Sequence, residues 1–231
     1  MKTIGLIGGM SWDSSAEYYR RINTGVRERL GALRSAQILL HSIDFGPIEQ
    51  AQREGRWDDA GEVLADSARR LQAAGADCVM LATNTMHIVA DRIQAATSLP
   101  FLHIADPVGQ AATDAGWERV GLLGTAFTME QPFLIERLTQ RHGLQVLVPP
   151  PAERAIVHRV IYDELCAGIV HAPSRRAYID IVRGLADAGA QAVVLGCTEI
   201  GLLIRDEQSP VPLLDTTALH AQAAVEFALA P

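Results

Sequence analysis

The feature that most constrains this 231-residue chain is an internal repeat. The segment LQAAGADCVMLATNT, Leu71 to Thr85, lines up with LADAGAQAVVLGCTE, Leu185 to Glu199, at an offset of 114 (71 to 185). Six pairs in this alignment are identical: Leu71/Leu185, Ala74/Ala188, Gly75/Gly189, Ala76/Ala190, Val79/Val193 and Leu81/Leu195. A second echo pairs IGLIG, Ile4 to Gly8, with VGLLG, Val120 to Gly124, at an offset of 116 (4 to 120). Two echoes at nearly the same spacing imply two homologous half-molecules. Within each half, short apolar runs alternate with longer segments of helical period, the βαβ pattern of a parallel sheet. The expected fold is therefore α/β, with two pseudo-symmetric parallel-sheet domains, residues 1–112 carrying Thr83 and residues 113–231 carrying Cys197. The boundary is expected within Asp106–Gly116, and the last strand and helix, Val211–Ala230, can cross back to the first domain.

The pattern predicts strands at Thr3–Gly8, Gln37–Ser42, Cys78–Ala82, Phe101–Ile104, Arg119–Gly124, Leu144–Val148, Ala192–Leu195 and Val211–Leu214. Helices are predicted over Ser14–Leu30, Trp57–Ala74, Met86–Thr97, Met129–Arg141, Ala152–Ala167 and Ser174–Ala188. Gly31, Gly75, Gly143 and Gly189 fall where helix stops are expected.

Composition narrows the function classes. A net charge of −7 disfavours a nucleic-acid or anionic-membrane partner. No run approaches the ~18 uncharged apolar residues of a membrane span, and the apolar start is too short and glycine-rich for a signal peptide. Three cysteines, Cys78, Cys166 and Cys197, with no CxxC spacing argue against a disulfide framework or zinc site and for a reducing cytoplasm. Lys2 is the single lysine and precedes the first strand, the wrong end for a strand-top site. Pyridoxal phosphate requires a Schiff-base lysine, so amino-acid chemistry here has to use side chains alone, with no cofactor and no metal.

In parallel α/β sheets ligands bind at the carboxyl ends of the strands, and four motifs fall there. Gly8-Gly9-Met10-Ser11 lets backbone N–H groups approach a carboxylate or phosphate; it lacks GxGxxG spacing, and no acidic residue follows strand two for a ribose unless Asp44 does so. A tight βα turn with no ligand is the plain alternative. Thr83-Asn84-Thr85 offers donors to an anion, although Thr83 can equally be a helix cap on the N–H of Met86. His87 reads as helix surface or as a group supporting the site, since no ligand cluster surrounds it. Thr125 and Thr128 can hydrogen-bond a substrate carboxylate or cap the helix that follows. Gln52 and Arg53 can reach the site, with a solvated helix face the plainer reading of Arg53. Gly196-Cys197-Thr198-Glu199 is the sharpest signal: a cysteine at a strand end before a helix has its thiolate favoured by the helix N-terminus. Cys78 and Cys166 read as buried and inert.

The repeat places Thr83 opposite Cys197. A hydroxyl in one half and a thiol at the matching place in the other suggest a cleft with a proton-handling group on each wall, which suits inversion of a carbon stereocentre.

At these residues the chain resembles the aspartate/glutamate racemase family, the cofactor-independent amino-acid racemases. IGLIGGMSWDSSAEYYRRIN, LATNTMH, LLGTAFTMEQPF and VVLGCTEIGLL carry the resemblance, in order and over essentially the whole chain. It implies an isomerase with the substrate between two α/β domains and a thiol on each face of the α-carbon. Carried over, Cys197 is the second-half thiol. Met10, Ser11, Asn84, Thr85 and Thr198 match positions that hold the substrate's α-carboxylate and amino group, and Gln52 matches a side-chain-carboxylate contact. A homodimer is implied as well. The chain departs from the family pattern CNT, having Thr83 in place of the first thiol. A Thr/Cys pair resembles a subgroup selective for L-aspartate and L-glutamate, in which the Cys197 face removes the proton of the L-enantiomer. Two other functions remain open: a single-cysteine decarboxylase of the same superfamily and a non-catalytic amino-acid binding protein.

Overall fold

A computed structural model describes residues 1–231. Eight strands form two four-stranded parallel sheets. The first contains β1 (Ile4–Gly8), β2 (Ile38–Ser42), β3 (Cys78–Leu81) and β4 (Phe101–Leu102), in the order β2-β1-β3-β4. The second contains β5 (Arg119–Gly124), β6 (Gln145–Leu147), β7 (Ala192–Gly196) and β8 (Leu213–Asp215), in the order β6-β5-β7-β8. The inner strands β1, β3 and β7 are buried along their whole length, as sheets covered on both faces require.

The repeat has a packing cause. Gly5 lies opposite Val79 in the first sheet, and Gly121 opposite Val193 in the second, so β1/β3 and β5/β7 share one register. A Cβ at Gly5 would come within 2.9 Å of the Ala76 Cβ and 3.4 Å of the Leu71 Cβ. A Cβ at Gly121 would come within 2.9 Å of Leu185 Cδ1. The repeated leucine thus packs over the repeated glycine in each half, and the two sequence echoes are the two sides of one contact made twice.

The chain divides into two compact units, Met1–Ile104 with Thr217–Pro231, and Ala105–Thr216. In the first unit, one face of the sheet packs Ile7, Leu64, Leu81, Met86 and Ile93. The other face packs Ile4, Leu6, Tyr18, Ile22, Val26 and Met80 against Ala221, Ala224, Val225 and Ala228 of the Thr216–Leu229 helix. The final strand β8 pairs with β7 in the second sheet, while the helix after it belongs to the first unit. The second unit gathers Leu123, Val157, Tyr178, Ile181, Val193, Leu195 and Ile200. Each such fully buried side chain contributes about 1.5–3 kcal/mol through burial.

Several helices depart from the pattern. The segment after β3 is a 3-10 helix, Thr85–Val89, followed by an α-helix, Ala90–Ala95. Pro132, which cannot continue a preceding helix, divides the Met129–Arg141 segment into Ala126–Glu130 and Pro132–His142. Phe45–Arg53 and Ala105–Asp114 are helices where none was predicted. No helix is long and apolar enough to cross a membrane.

In each sheet the connection after the second strand passes over the first. The chain therefore reverses direction across the sheet between β1 and β3, and again between β5 and β7. These are the switch points at which the carboxyl ends of α/β sheets form crevices.

Candidate active site

In the first unit, the turn after β1 and the end of β3 flank the switch point. Gly8 and Gly9 are required by packing: a Cβ on Gly9, whose φ is +98°, would lie 2.0 Å from the Ile43 carbonyl oxygen, and one on Gly8 would lie 2.5 Å from Ser15 Oγ. The Gly9 N–H donates to Ser15 Oγ at 2.8 Å, so this amide is already committed within the turn. Ser11 is the N-cap of the Trp12–Leu30 helix, its Oγ accepting from the Ser14 N–H at 3.3 Å. Met10 is buried and Ser11 half-buried.

At the end of β3, Asn84 and Thr85 are buried and Thr83 is half-buried. Asn84, not Thr83, is the N-cap residue of the Thr85–Val89 helix, with no side-chain cap bond. What holds Thr83 is its backbone. The His87 ring lies with Nδ1 2.8 Å from the Thr83 carbonyl oxygen, and the Ile104 N–H donates to His87 Nε2 at 3.2 Å. A carbonyl only accepts, so Nδ1 carries the proton and the imidazole is neutral with both nitrogens used. Burial, then His103 and His220, push the His87 pKa well below the usual histidine value. His87 is thus a buried clamp on the Thr83 backbone and not a helix-surface residue. Gln52, on the Phe45–Arg53 helix, is buried with its amide Nε2 donating to Met86 Sδ. Arg53 is exposed and paired with Glu49 at 2.9 Å, the solvated reading.

In the second unit, Thr125 is the N-cap of the Ala126–Glu130 helix, its Oγ1 accepting from the Thr128 N–H at 3.3 Å. Thr128 Oγ1 lies 3.2 Å from the same oxygen. Gly196 is the last residue of β7 and leaves no room for a Cβ, which would sit 3.0 Å from the Leu123 carbonyl oxygen. Cys197 and Thr198 follow, both half-buried.

The Cys197 environment opposes the thiolate that a helix terminus was expected to favour. The helix after it is only Ile200–Leu203, four residues, and the Cys197 Sγ–H donates to Glu199 Oε2 at 2.9 Å. Burial raises the thiol's pKa well above the ordinary cysteine value, and the Glu199 charge and hydrogen bond raise it further. The Glu199 N–H is the one donor that opposes this. Tyr178, on the Ala172–Asp187 helix, is close enough to feel the thiol's charge, but its hydroxyl is committed to the Val157 carbonyl oxygen at 2.8 Å. Glu199 is the residue against Cys197 that sequence reasoning left without a role. Its only signal was its place two residues after the cysteine.

The other thiols differ from each other. Cys78 is buried, and burial pushes its pKa up to about 12. Cys166, expected to be buried, is exposed on the short helix Leu165–Ala167. No group of three or more His, Cys, Asp or Glu side chains is arranged to hold a metal ion.

Each α/β unit thus carries a hydroxyl or thiol side chain just past its third strand. A family model described as Asp/Glu/Hydantoin racemase matches residues 7–224, and the chain belongs to that family. A crystal structure from Yersinia pestis, provisionally described as an Asp/Glu racemase, superposes with a TM-score of 0.95 at 49% identity over 100% of both chains. An aspartate racemase homologue from Pyrococcus horikoshii OT3 superposes with a TM-score of 0.87 at 31% identity, covering 99% of each chain. The broad specificity amino-acid racemase RacX of Bacillus subtilis is 24% identical over 231 residues, 98% of each chain.

Proposed function

We propose that the protein racemises aspartate, glutamate or both without a cofactor, Cys197 acting on one face of the α-carbon and Thr83 on the other. The observation that carries this is the shared register of the two sheets, which puts Thr83 and Cys197 just beyond β3 and β7. The Cys197 thiolate takes the α-proton of the L-amino acid. The C–H electron pair delocalises into the α-carboxylate, and the Thr83 hydroxyl, or a water it holds, delivers a proton to the opposite face. Met10, Ser11, Asn84, Thr85, Thr125 and Thr198 supply backbone and side-chain donors for the substrate's α-carboxylate and amino group, and Gln52 meets its side-chain carboxylate. A cysteine of reference pKa about 8.5 can serve as a base, whereas an aliphatic hydroxyl lies far above it and serves better as a proton donor. The working form is a soluble cytoplasmic homodimer.

Incubation in D₂O with L-aspartate or L-glutamate tests this. The wild type washes deuterium into the α-position. Cys197→Ser abolishes exchange while leaving the fold intact, and Cys78→Ser and Cys166→Ser keep most of it. Exchange by Cys197→Ser within a few-fold of wild type contradicts the proposal.

A further inference from the structure

We propose that Cys166 and Cys197 are joined by a reversible disulfide when the protein meets hydrogen peroxide, which makes the pair an oxidation site that withdraws the thiol of the second unit. The proposal rests on the racemase reading only for its effect on activity; formation of the bond is independent of it. Cys166 is exposed on the short helix Leu165–Ala167, which Gly168 closes in the left-handed conformation at φ +72°. Cys197 is half-buried in the turn directly after β7. The two segments pack together. Leu165–Ala167 lies against the Ile200–Leu203 helix that follows the Cys197 turn. Leu165, Tyr178, Ile200 and Leu203 belong to one buried cluster, and Cys197 packs against it. Each thiol is also felt electrostatically nearby. Burial, then Glu199, then Cys166 raise the pKa of Cys197. Burial, then Cys197, Glu164 and Cys166 raise that of Tyr178, with Arg159 acting the other way. Such interactions fall off with distance, so both sulfurs lie near the same phenol.

The two thiols differ in the way an oxidation site requires. Cys166 is open to solvent, so the peroxide meets it first. Cys197 is shielded, and its raised pKa leaves little thiolate to react directly. Cys166 ionises and its thiolate attacks one peroxide oxygen. The O–O bond breaks, Cys166 becomes a sulfenic acid, and the hydroxide released takes up the thiol's proton as water. The Cys197 sulfur then attacks the Cys166 sulfur. An S–S bond forms, the S–O bond breaks, and the hydroxyl leaves with the Cys197 proton as a second water. Two thiols have lost two electrons, and one peroxide has become two waters. A disulfide needs Cα atoms about 4.4–6.8 Å apart. Cys166 in a three-residue helix and Cys197 in a turn can adjust to that separation, since neither is held inside a long helix or a strand. The link costs the hydrogen bond from Cys197 Sγ to Glu199 Oε2. Cys78 is buried inside β3 and takes no part.

The test treats the full-length reduced protein with hydrogen peroxide and follows intact mass, non-reducing peptide maps and α-deuterium exchange into L-glutamate and L-aspartate. The wild type should lose two hydrogens from its mass, yield a linked Cys166–Cys197 peptide pair and lose most of its exchange, and dithiothreitol should reverse all of these. Cys78→Ser should behave in the same way. Cys166→Ser should form no linked pair and lose exchange more slowly by roughly tenfold or more, because each unit of raised pKa cuts the Cys197 thiolate tenfold. A map without the pair overturns the proposal, as does a Cys166–Cys166 link between two molecules or oxygen addition that dithiothreitol does not reverse. Equal rates of inactivation in wild type and Cys166→Ser overturn it as well. Failure of the racemase reading looks different. A reduced protein that never exchanges, or one that keeps full exchange with the pair linked, removes Cys197 from catalysis while the mapped disulfide stands. Exchange in a protein that forms no disulfide leaves the racemase reading intact and removes the oxidation site.

Discussion

His87 shows what a single buried side chain does for its neighbour. Its Nδ1–H holds the Thr83 carbonyl, its Nε2 accepts from Ile104, and the His103 ring stands 4.5 Å away between centroids. The His220 ring is 6.0 Å away; His220 in turn accepts from the Tyr18 hydroxyl at 2.9 Å and donates to the Leu102 carbonyl at 2.8 Å. Because the folded pKa of His87 is depressed, the unfolded chain binds more protons below the unfolded histidine pKa of about 6.5. Stability from this residue is therefore complete well above that pH and is lost as pH falls through and below it, with a limiting slope of about 1.4 kcal/mol per unit of pH. His87→Asn keeps an N–H for the Thr83 carbonyl and removes the titration. Thermal melts at pH 7.5 and 5.5 should show a smaller acid loss in His87→Asn than in wild type; equal losses would mean that the imidazole is not held neutral. At this scale the sequence was uneven. The matched placement of Thr83 past β3 and Cys197 past β7 was legible because the repeat aligned them. The Glu199 carboxylate was not, because its approach to Sγ depends on a side-chain rotamer that spacing does not encode. The helix-terminus argument for Cys197 meets a different obstacle: the helix after it has only four residues, and burial and the adjacent Glu199 carboxylate oppose a thiolate.

Among the elements, the β1 turn is the least tolerant of change. Gly9 combines a left-handed φ with an approach that leaves no space beside the Ile43 carbonyl. Gly9→Ala should cost several kcal/mol, from strain of about 1–3 kcal/mol plus the displacement of β2's end. Chemical denaturation would show this as a lowered midpoint, and a shift below ~1 kcal/mol would mean that the turn relaxes freely. All eight strands were legible because inner parallel strands are short, continuous apolar runs between glycine-rich turns. The Phe45–Arg53 helix was not, since nine residues leave little periodicity and its N-cap, Asp44, was weighed only as a ribose ligand. The Ala105–Asp114 helix fell in the segment read as a boundary, where Asp106 instead binds Arg137 through two bonds of 2.6 and 2.7 Å. Ser11 and Thr125 show a further limit: a hydroxyl at a strand-top turn satisfies a helix terminus as readily as it greets a ligand.

For the whole molecule, the two halves share a register but carry unequal acids, and that inequality has a thermodynamic boundary. Free enantiomers have equal energy in water, so the interconversion constant is one whatever the enzyme does. The ratio of kcat/KM in the two directions must therefore also be one for net inversion, and no Thr83/Cys197 asymmetry can alter it. The asymmetry can appear only in steps that do not complete inversion. If Cys197 serves the face that removes the proton of the L-form, the carbanion can be reprotonated there with retention many times for each proton delivered by Thr83. Deuterium should then enter L-aspartate or L-glutamate quickly, with the L-configuration retained, while D-substrate exchanges slowly and inversion lags behind. Thr83→Cys supplies a second thiol beyond β3, at the position matching Cys197, and should raise exchange from the D-form. Chiral chromatography with mass spectrometry of the recovered amino acid measures both quantities. A wild type that labels both enantiomers at matching rates, with Thr83→Cys changing neither, would show that the hydroxyl is not the weaker member of the pair.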